Sequence, residues 1–125
     1  MNRQDLEKKI HPITSDLMGK KGYICLVDIF IGLGYLSEKD VELWRMKKIP
    51  YLEKKIMVGL GKISFIAKTV TNNCRNGGLK ASTTSYKSWG KGAKKDLRFT
   101  KSGDKSYELM YKTHWLKIPK KSMTN

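Results

Sequence analysis

The chain has 125 residues, and its 26 Lys+Arg against 11 Asp+Glu give a formal net charge of +15 with 39% hydrophobic residues. This composition excludes a disordered chain and suits one compact domain with a modest core. Self-repulsion at this charge opposes compaction, so a polyanionic partner is expected: nucleic acid first, then an anionic membrane surface or an acidic protein.

The charge is unevenly placed. Residues 1–79 hold 14 basic and 8 acidic side chains, whereas residues 80–125 hold 12 basic and 3 acidic ones. Solubility alone needs no such concentration of one sign in one segment. The first ten residues, MNRQDLEKKI, are polar and lack the pattern of a secretory signal. The longest apolar run, 22–36, contains Asp28 and is too short to cross a bilayer. Two cysteines, Cys25 and Cys74, in a chain without a signal read as free thiols in a reducing cytoplasm.

In chain order, residues 1–21 are expected to form a short helix over MNRQDLEKK and then an irregular arm through Pro12. A single domain is expected over 22–118, with a basic tail at 119–125. Tyr23, Val27, Phe30 and Ile31 recur at helical spacing and predict a buried helix ended by Gly32 and Gly34; a buried strand is the competing reading. Ser37 is placed to cap the next helix, with Glu38 and Asp40 in its first turn and Lys47 and Lys48 in its last. Pro50 stops it and suits the start of a third helix running to Asn73. Along that third helix Leu52, Ile56, Leu60, Ile63, Ala67 and Val70 form one apolar stripe, interrupted by Gly59 and Gly61.

After Gly78 the period changes. TTSYKSW (83–89) and KDLRFT (95–100) read as two strands of a hairpin joined by GKGAK. Ser102 or Asp104 is placed to cap a last helix over SYELMYKTHWLK. The predicted fold is therefore α+β, a mainly helical three-helix unit followed by a β-hairpin and a C-terminal helix. That is the element order of winged-helix proteins, and the likeness is one of fold alone.

Two stretches, EKDVELWRMKKIPYLEKKI (38–56) and SYKSWGKGAKKDLRFTKSGD (85–104), resemble a group of small bacterial proteins. The group's pattern is Trp-Arg, then Pro-Tyr-Leu-Glu, a Tyr, Trp-Gly-Lys-Gly, Leu-Arg-Phe-Ser-Lys-Ser-Gly-Asp and a closing Thr-His. Here these are Trp44-Arg45, Pro50 to Glu53, Tyr86, Trp89 to Gly92, Leu97 to Asp104 and Thr113-His114, with Thr100 where the group has Ser. The resemblance covers about the last two-thirds of the chain. It implies an independently folding domain and brings no activity with it.

The hairpin is the first candidate interface. Lys91, Lys94, Lys95, Arg98, Lys101 and Lys105 lie close in sequence with Tyr86, Trp89 and Phe99 interleaved. Cations of this kind contact phosphates, and aromatic faces stack on bases. The plainer alternative has the aromatics packed inward and only the lysines in water. Arg45, Lys47 and Lys48, with Lys54 and Lys55 beyond Pro50, form a second basic cluster, suited to a groove or to a phosphate, with an ordinary charged helix face as the plainer alternative.

GKGAKK lacks the spacing and following Ser/Thr of a phosphate-binding loop. No catalytic residue, metal site or cofactor is predicted, since His11 and His114 lie far apart and the Cys/His spacings fit no zinc pattern. The expectation is a nucleic-acid-binding protein. The alternatives are a basic subunit docking an acidic partner through Trp44 or Trp115, and a nuclease or phosphoryl-transfer enzyme using His114.

Overall fold

The computed structural model describes residues 3–117. Helices dominate: α1 (Arg3–Lys21), α2 (Leu26–Leu33), α3 (Glu38–Arg45), α4 (Leu60–Asn76) and α5 (Lys105–Lys112). Three short strands, β1 (Tyr23–Ile24), β2 (Lys80–Thr83) and β3 (Thr113–Leu116), form one antiparallel sheet in the order β1-β3-β2. The protein is thus α+β, as its sequence periods predict. The predicted basic tail, 119–125, lies outside the described residues. Among the described residues no helix is long and apolar enough to cross a membrane.

The N-terminal segment departs from its expectation. It is one continuous helix with Pro12 inside it, not a short helix and an irregular arm. An interior proline costs about 3 kcal/mol through the lost hydrogen bond and ring clash. Burial of Leu6, Ile10 and Thr14, spaced one turn apart, offsets that cost. A Cβ at Gly32 would meet the Ile13 side chain at 2.9 Å, so this glycine lets α1 lie close on α2. The buried run after Gly22 resolves both of its readings, with Tyr23–Ile24 as strand and Leu26–Leu33 as helix. Gly34 ends α2 with φ 83°, in the left-handed region open to glycine.

The Ser37 cap is present: its Oγ accepts from the Asp40 N–H at 3.1 Å. The long third helix is not. Leu52–Lys55 is a single 3-10 turn, and α4 begins only at Leu60. The N–H groups of Leu52 and Glu53 donate instead to the carbonyls of Arg98 (3.2 Å) and Phe99 (2.9 Å), which draws the chain away from a helical path. The apolar stripe survives the break, with Leu52, Ile56, Ile63, Ala67 and Val70 buried, but Leu60 is 69% exposed.

The final helix also ends early, at Lys112, because Thr113–Leu116 pairs on both edges, with Trp115 opposite Ile24 and Ala81. Sheet pairing here overrides a helical spacing. The predicted hairpin is reduced to one bridge, Lys87 with Asp96, flanked by Ser88 N–H to Lys95 C=O (2.8 Å) and Leu97 N–H to Tyr86 C=O (2.9 Å). Its inward and outward alternation is nonetheless as expected: Tyr86, Leu97 and Phe99 are buried, whereas Lys87, Asp96 and Arg98 are exposed.

Candidate nucleic-acid interface

The core under the hairpin is aromatic. Phe99 lies parallel to Tyr111 at 4.9 Å, packs on Trp44 at 4.9 Å and meets Tyr86 edge-on at 5.0 Å. Such offset and edge contacts hold rings in fixed relation. The segments that carry the sequence resemblance therefore meet in space: the Trp44 indole Nε1 donates to the Arg98 carbonyl at 2.7 Å.

Arg45 follows Trp44 at the end of α3 and works as a clamp. Its Nη1 donates to the Lys87 carbonyl at 2.8 Å, and its own carbonyl accepts the Trp89 N–H at 2.7 Å. The guanidinium lies 4.8 Å from the Tyr86 ring centre and 5.4 Å from that of Trp89. Burial lowers its pKa, and the buried Nε has no hydrogen-bond partner among the described residues. The rings supply the negative faces that offset this loss of water. From sequence Arg45 is open to a groove, to a phosphate or to plain solvent on a charged helix face; the folded chain turns its guanidinium onto its own hairpin.

Arg98 is similarly engaged. Its Nε donates to the Thr100 carbonyl at 3.2 Å and its Nη2 to the Lys101 carbonyl. Gly103, at φ 74°, turns the loop through the left-handed region that favours glycine, beside the guanidinium. From the other side Glu108 accepts from the Phe99 N–H (3.0 Å), the Thr100 N–H (2.7 Å) and the Thr100 hydroxyl (2.6 Å). Residues 98–103 thus form a rigid loop.

The lysines differ from the arginines. Lys48, Lys91, Lys94, Lys95, Lys101 and Lys105 are all exposed, and none is in an ion pair among the described residues. Lys94 Nζ donates to the Gly90 carbonyl at 2.9 Å. Trp89 stands among the hairpin lysines at 50% exposure, unlike Tyr86 and Phe99. Gly90 and Gly92, at φ 104° and 92°, carry the chain out of Trp89 through a conformation that side chains resist. One aromatic of the three therefore faces water, fixed from behind by Arg45.

His114 has a different setting. Its Nε2 shares a hydrogen bond with the Tyr86 hydroxyl at 2.8 Å, and its ring stacks on Tyr23 at 4.7 Å. Burial lowers its pKa, against the pull of Asp28 and with the push of Lys21. Nearby, Cys25 Sγ lies 3.3 Å from Asp28, which pairs with Lys21 at 3.0 Å. Burial first, and then the Asp28 charge, push the Cys25 thiol up to about 12, so it stays protonated and unreactive at neutral pH. Among the described residues no three His, Cys, Asp or Glu side chains gather to hold a metal.

Two carboxylates escaped the sequence reading. Glu108 gives no local signal, and Glu53 stands in sequence beside Lys54 and Lys55 with nothing local to bury it. Glu53 is half-buried and accepts from the Tyr111 hydroxyl at 2.7 Å. Its place in the recurring Pro-Tyr-Leu-Glu was the one signal available. Compared with protein-family models, curated proteins and solved structures, the chain matches none, so the site's own chemistry alone bears on its function.

Proposed function

We propose that this protein, in a reducing cytoplasm, binds nucleic acid through the phosphate backbone, with the hairpin as its main contact. The observation that carries this reading is Trp89, half-exposed among unpaired lysines and held from behind by Arg45. Lys91, Lys94 and Lys95 meet phosphates beside it, while Lys101 and Lys105 extend the cationic surface; Lys48 gives a further contact. The Trp89 ring offers its face to an exposed base, a contact of about 1–3 kcal/mol. Arg45 and Arg98 act one step back, holding the two loops that present these groups.

The test is a titration of labelled single-stranded and duplex DNA and RNA of random sequence at about 50 and 200 mM salt. Binding should weaken steeply between the two salts and collapse in Lys94→Glu/Lys95→Glu. Trp89→Ala should weaken single-stranded targets by about tenfold. No binding at the lower salt by the folded protein would overturn the reading. The alternative of an acidic protein partner anchored on Trp44 or Trp115 loses its anchors, which are 0% and 6% exposed. An enzyme based on His114 has no support in the ring's setting, which is packed between two tyrosines.

A further inference from the structure

A pocket of about 530 Å³ opens between the 3-10 turn, the start of α4 and the rigid loop after Arg98. Its size falls within the range of sites for small ligands. We propose that it takes one guanine base, with the base N1–H and 2-amino edge on the carboxylate of Glu53. The inference deepens the nucleic-acid reading and rests on it for the strand that delivers the base.

Glu53 sets the chemistry. Its Oε2 accepts from Tyr111, and among the described residues no donor reaches Oε1. An open carboxylate oxygen in a half-buried setting can accept N–H donors from a ligand. Burial raises its pKa, the Tyr111 bond works against that rise, and the Glu108 charge adds to it. A ligand that donates two hydrogen bonds would relieve this cost.

The lining is largely apolar. Ile63, the half-exposed Tyr107 and the more exposed Leu60 give the pocket apolar sides, and the phenol offers a ring for stacking. Lys101 stands at the mouth, exposed and unpaired, where it meets a phosphate. The loop that carries it is held by Arg98 from one side and Glu108 from the other, so little ordering is left for binding.

The choice of base follows from donor count. Guanine alone offers two adjacent donors on one edge. Adenine and cytosine set a single amino group beside a ring nitrogen whose lone pair faces the carboxylate. Uracil and thymine flank one N–H with two carbonyl oxygens. A site built around a half-buried carboxylate disfavours ligands that set a lone pair against it.

The experiment compares two labelled single strands, all-thymine and the same strand with one central guanine, alongside NMR titrations with the 5′-monophosphates of the four bases. The guanine strand should bind about tenfold tighter, and guanosine monophosphate should shift the amides of Ser64, Lys101 and Tyr107. Glu53→Gln should erase the guanine advantage, so that the two strands bind alike. Lys101→Glu, at an exposed site where folding is not at risk, should weaken guanosine monophosphate severalfold. Equal affinity for the two strands overturns the pocket and leaves the nucleic-acid reading standing. A guanosine monophosphate response without binding of either strand keeps the pocket and overturns the strand-binding reading. Silence from every nucleotide and strand overturns both.

Discussion

The indole N–H of Trp44 donates to the carbonyl of Arg98 at 2.7 Å, across 54 residues of chain. That carbonyl also accepts the Leu52 N–H at 3.2 Å, so one oxygen joins α3, the 3-10 turn and the hairpin's return strand. Trp44 is fully buried, and it carries Phe99 and Tyr86 against its ring.

Trp44→Phe keeps an aromatic ring and removes the donor. The loss of one buried hydrogen bond, together with the smaller ring, should destabilise the fold by about 2 kcal/mol. A urea melt at neutral pH reads this directly as a lower midpoint with an unchanged slope. A midpoint within error of the wild type would mean that the bond contributes nothing net.

Arg45→Lys preserves charge and should still behave as a loss. An ammonium cannot spread over the Tyr86 and Trp89 rings as a planar guanidinium does. The expected cost is about 1–2 kcal/mol, with faster amide hydrogen exchange at Ser88 and Trp89. Single-stranded nucleic-acid affinity should fall with it, because Trp89 would lose its fixed backing. Unaltered exchange at these two amides would remove Arg45 from the clamp.

Acid should weaken the fold through His114. Its pKa in the folded protein lies below the ordinary 6.5, because burial disfavours the charged ring. The unfolded chain therefore takes up the proton first as pH falls, and stability drops from about pH 6.5 downward until the folded ring also protonates. Glu53 runs the other way: its raised pKa contributes stability that is full below 4.5 and is lost as pH rises through the folded value. Urea midpoints of the wild type and His114→Asn, compared between about pH 7.5 and 5.5, isolate the histidine. The wild type should lose more stability than the variant across that range; parallel curves would show that His114 titrates alike in both states.

Much of the local structure was legible. Ser37 as a cap, Gly34 as a stop and the inward set Tyr86, Leu97 and Phe99 all follow from short-range rules of capping and alternation. The breaks were not. A stripe from Leu52 to Val70 reads as one helix because its spacing is helical, yet Leu52 and Glu53 spend their N–H groups on the hairpin. Pro12 reads as a stop, yet α1 runs through it because Leu6, Ile10 and Thr14 are buried together.

The candidate interface divides along the same line. Its cationic excess and the aromatic interleaving of 86–99 are properties of composition and order, so the sequence by itself determined them. Which cations face outward was a matter of tertiary structure. Arginine's planar fork matches backbone carbonyls and ring faces, so Arg45 turns onto a hairpin that only the folded chain brings near, whereas Arg98, though exposed, bonds the carbonyls of its own loop. The strongly hydrated lysines stay in water, and Trp89 stays with them because its N–H is held at the surface by Arg45. Glu53 acquires its chemistry in the same way: no neighbour in sequence buries it, and Tyr111, 58 residues away, supplies the hydroxyl that fixes one of its oxygens and leaves the other open.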